Sequence, residues 1–280
     1  MSTAFKLFRT PGGWVAEAGG GKRVQLPPSE SATLTRRDDL HAYLSGQFTS
    51  AAPAAADALT SLLAPIEHQE VWAAGVTYFR SRTARMEEAK VGGGGSFYDL
   101  VYNAERPELF CKAAAWRVVG PGAKVRIRKD ATWNVPEPEF ALLISSSGRI
   151  TGYTIGNDMS SRDIEGANPL YLPQAKVYDG ACALGPCLLV PSEPLPTSTG
   201  IAIEIHRGGA VVFSGTSAVS EMKRDFATLA SYLYRELSFP DGAVLFTGTG
   251  IIPPDAFTLQ SGDDIRITVN EIGTLQNTVA

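Results

Sequence analysis

Residues 135–163 have the sequence VPEPEFALLISSSGRITGYTIGNDMSSRD, and this stretch decides the fold prediction. Two segments that are rich in apolar and β-branched residues, EFALLIS and RITGYTIGND, flank the turn-forming pair Ser147-Gly148. Such a pattern predicts a β-hairpin with a two-residue turn. In that hairpin Ser146 pairs with Arg149, and this register fixes every other pair along the two strands.

The predicted register brings three carboxylates together. Glu137 and Glu139 are two residues apart, so both project from one face of a strand, and Asp158 lies opposite Glu137 on the same face. No cation is visible in the pattern to balance them, and like charges at this distance repel. A divalent ion with oxygen ligands, Mg²⁺, Mn²⁺ or Ca²⁺, would resolve the repulsion. The alternative is an exposed acidic sheet edge.

The first 70 residues are predicted to form a small N-terminal α/β domain, and residues 71–280 a second, larger domain that contains the three carboxylates. Turns rich in glycine and proline divide the first part into short strand-like segments, and two stretches containing Ala and Leu follow. The predicted strands cover residues 5–8, 14–17 and 23–26, and the predicted helices cover residues 35–45 and 54–63.

From residue 123 onward the sequence is mainly β. Several segments alternate with period two, and Gly, Pro, Asn or Asp bounds many of them. One helix is predicted over residues 221–237, where Phe226, Leu229 and Leu233 recur at helical spacing. The predicted fold class is α+β, mainly β, with a mostly antiparallel sheet rather than alternating strands and helices.

The composition excludes several classes of protein. The chain has 280 residues and a formal charge of -4, which gives no electrostatic basis for binding nucleic acid or an anionic membrane. Its three cysteines form no CxxC pair, so neither a zinc knuckle nor a disulfide framework is expected. No uninterrupted apolar run reaches the length of a membrane span, and we expect a cytoplasmic protein.

Four segments resemble the fumarylacetoacetate hydrolase superfamily, and within it the 2-keto-3-deoxy-sugar-acid dehydratases. They are VYNAERPELFCKA (101–113), TWNVPEPEFA (132–141), GYTIGNDMSSRDIEGANPLYLPQAKVY (152–178) and FTGTGIIPP (246–254). The resemblance runs from about residue 71 to the C-terminus. It implies a mixed β-sandwich roll around the site, a small-molecule 2-keto acid as substrate, and a homodimer or homotetramer.

The resemblance also implies a cofactor, Mg²⁺ or Mn²⁺, and a set of site residues. These are Glu137, Glu139 and Asp158 for the metal, Glu108 and Lys176 for catalysis, and Arg82, Lys176, Thr249 and Thr274 for the substrate. The implied reaction converts 2-keto-3-deoxy-xylonate or 2-keto-3-deoxy-arabinonate to 2,5-dioxopentanoate by metal-assisted β-elimination. Which of Glu108 and Lys176 acts as base, and which as acid, stays open.

The histidines distinguish this reaction from its alternatives. A polar, Arg-rich helix is predicted over residues 79–90. Hydrolytic members of the superfamily activate water with a His–Glu pair on a lid helix, and the corresponding segment here, residues 77–89, contains no histidine. An acylpyruvate hydrolase or an oxaloacetate decarboxylase is the alternative, and a non-enzymatic binding protein is a third possibility. The glycines at residues 92–95 are interpreted as the hinge of a lid.

Overall fold

The protein, represented by a computed structural model, is described over residues 4–88 and 95–280. Within these ranges the strands are β1 Phe5–Thr10, β2 Gly13–Glu17, β3 Arg23–Gln25, β4 Glu70–Gly75, β5 Glu108–Ala113, β6 Val118–Val119, β7 Lys124–Val125, β8 Asn134–Val135, β9 Pro138–Ile144, β10 Ile150–Asp158, β11 Ser160–Ser161, β12 Cys182–Val190, β13 Gly200–Arg207, β14 Ala210–Ala218, β15 Ala243–Phe246, β16 Asp264–Val269 and β17 Gly273–Val279. The helices are α1 Ser31–Leu34, α2 Leu40–Ser50, α3 Phe79–Glu88, α4 Gly95–Asn103, α5 Arg162–Ala167, α6 Leu172–Lys176 and α7 Phe226–Leu233.

The larger of the two main sheets contains ten strands in the order β3-β2-β1-β12-β10-β9-β15-β4-β5, with β6 added beside β12. Most neighbours are antiparallel, but β15 runs parallel to β4, and β6 runs parallel to β12. This sheet contains strands from both sides of residue 70, where the sequence predicts a domain boundary, since β1 pairs directly with β12. The first three strands therefore belong to the same sheet as β9, β10 and β12.

Strand β9 lies near the middle of this sheet and is buried along its whole length. Its side chains alternate between two apolar clusters: Phe140 and Leu142 belong to one, and Ala141 and Leu143 to the other. A strand covered on both faces needs such a continuous apolar run. The segment EFALLI therefore fixes β9 in the centre of the fold, and the carboxylates at its start are buried with it.

The second main sheet has five strands in the order β14-β13-β16-β17-β7. Its inward side chains, such as Ile203 and Ile267, pack in the same cluster as Phe140 and Ile155 of the larger sheet. The two sheets thus enclose a common core, as in a β-sandwich. The predicted fold class, mainly β with mixed sheets, is confirmed.

The β9–β10 hairpin has the predicted register at the carboxylates but not the predicted turn. Ser145 N–H donates to Arg149 O, so the loop has three residues, 146–148, and Gly148 takes a positive φ of 89°. This loop shifts the pairing by one residue, and a bulge between Ile150 and Gly152 shifts it back. The two departures cancel before the strands reach the site.

Two of the three predicted helices outside the lid are displaced or shortened, and one is absent. Residues 35–45 were expected to be helical, but α2 begins only at Leu40, and the helix predicted over residues 221–237 is limited to α7. Asp225 caps α7 by accepting a hydrogen bond from Thr228 N–H, which fixes its start. The prediction for residues 54–63 was wrong, because the chain at Ala52 and Ala54 pairs with β3 instead.

The predicted lid helix over residues 79–90 is confirmed as α3 for the residues that the structure describes. Most of the glycine run at residues 92–95 lies outside the described residues, and Gly95 is the first residue of α4. No helix within the described ranges is both long enough and apolar enough to span a membrane.

Candidate active site and metal centre

The three predicted carboxylates converge at the start of β9 and the end of β10. Glu137 and Asp158 exchange both backbone hydrogen bonds, at 3.1 and 3.0 Å, so they lie directly opposite each other. One oxygen from each of Glu137, Glu139 and Asp158 lies within 4.8 Å of the others. All three side chains are buried, at 4, 2 and 1% exposure. Their geometry is that of a carboxylate-rich metal site.

Three cations surround these carboxylates, contrary to the expectation that none would balance them. Lys176 Nζ lies 2.9 Å from Glu137 Oε2 and 3.2 Å from Asp158 Oδ2. Lys112 Nζ lies 2.5 Å from Asp158 Oδ1, and Arg162 contacts Glu137 Oε1 at 2.8 Å. The expectation was wrong because the cations come from β5, α5 and α6, outside the hairpin on which it was based.

The cavity is rich in carboxylates, which is the composition that a site for a divalent cation needs. Five carboxylates border the cavity in the part of the chain that the structure describes, Glu108, Glu137, Glu139, Asp158 and Glu165. Three cations contact them, Lys112, Arg162 and Lys176. Glu137, Glu139 and Asp158 lie close enough to repel one another, and a divalent cation bound among them would offset that repulsion.

Two carboxylates of the trio, Glu139 and Asp158, show where a cation would be favourable. Burial raises the pKa of the Glu139 carboxyl well above its ordinary value, and the charges of Asp158 and Glu137 raise it further. The Gly248 N–H donates to Glu139 Oε2 at 2.5 Å and partly offsets this effect. Asp158 Oδ1 is buried and accepts no aligned hydrogen bond from a described residue, although Lys112 Nζ is close. Both observations fit a site that binds a hard cation.

Glu108 lies beside this centre, where the sequence places a catalytic group. It begins β5, pairs with Gly75 of β4, and lines the same cavity as the three metal-site carboxylates. A Cβ atom at Gly75 would stand 2.6 Å from Glu108 Cδ, which is closer than nonbonded atoms can approach. The glycine therefore leaves the space that the Glu108 carboxylate occupies.

Substitution of Gly75 by alanine is expected to displace the Glu108 carboxylate without contacting Glu137, Glu139 or Asp158. We expect kcat to fall by about 10²-fold, as for loss of an aligned general base, while the Kd for Mg²⁺ changes little. Steady-state kinetics and calorimetric titration with Mg²⁺ measure the two effects separately. Gly46→Ala is the matched control, since nothing lies within 4 Å of the Cβ that it adds; unchanged kcat in G75A would contradict the assignment.

The structure places the predicted substrate-binding residues in different parts of the fold. Thr249 lines the cavity, on the loop that follows β15. The Arg82 guanidinium forms an ion pair with Asp99 of α4 at 2.6 Å and is not among the cavity-lining residues. Thr274 lies on β17 in the five-stranded sheet, where its hydroxyl contacts that of Thr268 at 2.9 Å, so the structure does not bring it to the site.

Sequence reasoning did not identify several residues that border or support the cavity. Ser81 and Glu165 line it, and Ser160 accepts a hydrogen bond from Lys176 Nζ at 2.6 Å. Lys112 and Arg162 lie within the quoted motifs, but their spacing alone does not show that both are buried beside carboxylates. Burial of long cationic side chains is uncommon unless they are paired, so only the fold reveals these roles.

None of the three histidines of the chain lies at this centre. The His41 ring packs at a tilt against Phe5 in the N-terminal part, and His206 contacts Glu204 on the five-stranded sheet. His68 borders a separate cavity beside Trp116. The site therefore has the carboxylates and the lysine of a metal-dependent enzyme, without a histidine base.

Comparison with known proteins assigns the family. The family described as "Fumarylacetoacetate (FAA) hydrolase C-terminal" matches residues 76–280. The chain is 46% identical over 216 residues to the "Probable 2-keto-3-deoxyxylonate dehydratase" of Haloferax volcanii, covering 77% of this chain and 73% of that one. It is 44% identical over 214 residues to the 2-dehydro-3-deoxy-D-arabinonate dehydratase of Saccharolobus solfataricus, covering 75% and 72%.

A solved structure of 2-keto-3-deoxy-D-arabinonate dehydratase, complexed with magnesium and 2,5-dioxopentanoate, superposes with a TM-score of 0.83. The two chains are 33% identical, and the match covers 99% of this chain and 98% of the other. The fold and the site together define a metal-dependent enzyme of the fumarylacetoacetate hydrolase class. This chain belongs to the fumarylacetoacetate hydrolase family, and its buried carboxylates fit a magnesium ion.

Proposed function

We propose that the protein is a magnesium-dependent hydro-lyase that dehydrates 2-keto-3-deoxy sugar acids, of which 2-keto-3-deoxy-xylonate and 2-keto-3-deoxy-arabinonate are the first candidates. The product is 2,5-dioxopentanoate. The observation that carries the proposal is the buried trio Glu137, Glu139 and Asp158, together with Glu108 and Lys176, in one cavity. Relatives that are 46 and 44% identical bear the names of dehydratases of these two acids.

The cavity supplies what the first step of such an elimination needs. Glu137, Glu139 and Asp158 would hold Mg²⁺, which when bound polarises the 2-keto group of the substrate and acidifies the protons on C3. Glu108 lies at the same cavity, on the neighbouring strand β5, and we assign it as the base that takes a C3 proton. The electrons of that C–H bond form the C3=C4 double bond while the C4–O bond breaks.

Lys176 is assigned as the acid that protonates the departing hydroxyl, so that water leaves. Its Nζ donates hydrogen bonds to oxygens of Glu137, Asp158 and Ser160, which favours the ammonium form of this lysine. The C5 carbon then loses a proton to solvent and C3 takes one from solvent, which moves the double bond to C4=C5. The resulting enol takes a proton on C4 and becomes the C5 aldehyde, which balances the loss of one water.

The lid segment is the feature that separates this reaction from hydrolysis. Residues 77–103 contain no histidine, and the ion pair between Arg82 and Asp99 joins α3 to α4 instead. Water therefore has no histidine base in this part of the chain. Decarboxylation of oxaloacetate would need the same metal and enolate chemistry, so it is the alternative that an assay must exclude.

A substrate panel tests the proposal. The purified protein is incubated with 2-keto-3-deoxy-xylonate, 2-keto-3-deoxy-arabinonate, acetylpyruvate and oxaloacetate, each with Mg²⁺ and with EDTA. We expect formation of 2,5-dioxopentanoate from at least one pentonate, and its loss in EDTA. EDTA-sensitive consumption of oxaloacetate or acetylpyruvate without turnover of either pentonate would overturn the assignment. The homodimer or homotetramer and the cytoplasmic location remain predictions, which light scattering and cell fractionation can test.

A further inference from the structure

Lys112 is a buried cation to which neither the sequence motifs nor the reaction assigns a role. It lies on β5, four residues after Glu108, and its residue exposure is 1%. The pairing of β5 with β4 shifts by one residue at this point, because Trp72 pairs with Cys111 and Val71 with Ala113. Lys112 is the extra residue of this bulge, and bulges beside active sites commonly redirect a side chain.

The Lys112 ammonium contacts three oxygens from two other parts of the site. It donates to Met159 O at 3.0 Å and to Lys176 O at 2.5 Å, and its Nζ lies 2.5 Å from Asp158 Oδ1. Lys176 is the last residue of α6, where backbone carbonyls have no partner within the helix. One side chain therefore connects a metal-site carboxylate, the residue after it and the end of the helix that carries Lys176.

This arrangement fixes the backbone position of Lys176, and with it the position of the Lys176 Cα atom. Because its carbonyl is held by Lys112, the Lys176 ammonium reaches Glu137, Asp158 and Ser160 from a fixed backbone position. The Phe110 ring, two residues before Lys112, lies 5.9 Å from Lys176 Nζ. Strand β5 thus provides the catalytic carboxylate Glu108, the ring beside the catalytic ammonium and the lysine that holds its helix.

We propose that Lys112 is a positioning residue of the dehydratase, which aligns Lys176 with Glu108 and Asp158 and does not itself contact the substrate. The proposal rests on the function proposed above. Replacement of Lys112 by a neutral residue has two separate effects. It releases the end of α6, and it removes a positive charge beside Asp158, which leaves the metal site more negative. Loss of Lys112 should therefore impair turnover without weakening the binding of Mg²⁺.

Lys112→Met keeps most of the side-chain volume and removes the ammonium. At saturating Mg²⁺ we expect kcat to fall by about 10- to 100-fold, the usual effect of losing a group that orients an active-site residue. The Kd for Mg²⁺, from calorimetric titration without substrate, should stay the same or decrease. In the Lys176→Met background the added Lys112→Met change should have little further effect on kcat, because both changes act through the same group.

Lys124→Met, which replaces an exposed lysine on β7, is the matched control. Circular dichroism in Mg²⁺ verifies folding, and Lys112→Gln replaces the methionine variant if that one does not fold. Wild-type kcat in Lys112→Met would overturn the proposal, and so would a Kd for Mg²⁺ that rises in parallel with the loss of kcat, since that indicates a collapsed site. Because the titration uses no substrate, absence of dehydratase activity in the wild type would count against the proposed function instead.

Discussion

Replacement of Glu139 by glutamine is expected to abolish catalysis and, in the absence of metal, to stabilise the fold. The substitution removes one of the three carboxylates that converge within 4.8 Å, so kcat/KM should fall by about 10³-fold or more. The apoprotein should gain stability, because burial and the charges of Asp158 and Glu137 oppose ionisation of Glu139. Glutamine removes that cost while it keeps an acceptor for the Gly248 N–H.

The gain in stability has a predicted pH dependence. The pKa of Glu139 is raised in the folded protein, so its protonated form is favoured there, and stability is lost as pH rises toward that pKa. Glutamine resembles the protonated form at every pH. The free energy of unfolding in EDTA should therefore increase in the variant by roughly 1 kcal/mol or more, with a larger gain at about pH 8 than at about pH 5.

Denaturant unfolding in EDTA and Mg²⁺ titration measure these two effects on the same preparation. Glu193→Gln, which changes an exposed carboxylate, is the control and should alter neither. Retained activity in Glu139→Gln would show that this carboxylate is not needed for the metal. A destabilised apoprotein at about pH 8 would show that Glu139 is compensated by the three cations nearby.

Replacement of Glu108 by glutamine is expected to remove turnover while metal binding persists. Glu108 lines the cavity from β5 and is absent from the metal-site trio. Loss of a general base typically reduces kcat by about 10²- to 10⁴-fold. The Kd for Mg²⁺ should change by less than about threefold, since the ligand carboxylates are unaltered.

Solvent exchange separates the role of Glu108 from that of Lys176. If Glu108 takes the C3 proton, Glu108→Gln should also lose the exchange of C3 hydrogens with D₂O, whereas Lys176→Met should retain part of it. Full activity in Glu108→Gln would refute the role of this residue. Exchange that persists in Glu108→Gln and is lost in Lys176→Met would instead assign Lys176 as the base.

The central hairpin could be predicted from sequence because its two strands are adjacent in the chain and their pairing follows from neighbouring residues. The apolar run of β9 and the spacing of Glu137, Glu139 and Asp158 are sufficient to bring the carboxylates together. The prediction of a two-residue turn was wrong, yet the pairing at the carboxylates was right. The bulge at residues 150–152 compensates for the longer loop, and a period-two pattern cannot show such a compensation.

The charges around the carboxylates could not be predicted in the same way. Lys112 and Arg162 reach Asp158 and Glu137 from β5 and α5, and these contacts depend on how distant elements pack. Arg82 illustrates the converse, since its residue type suits an anionic substrate but its guanidinium pairs with Asp99. The local pattern thus predicts that the three carboxylates converge, whereas the groups that balance and position them require the tertiary structure.

The most direct test of the account follows the reaction by NMR in D₂O, with 2-keto-3-deoxy-xylonate and 2-keto-3-deoxy-arabinonate as substrates. With Mg²⁺ the wild-type protein should form 2,5-dioxopentanoate that carries deuterium at C3 and C4, because a solvent-derived hydrogen is added at each of these carbons. EDTA should stop the reaction, and added Mg²⁺ should restore it. Unchanged pentonates in the presence of Mg²⁺, or equal conversion in EDTA, would contradict a magnesium-dependent dehydratase.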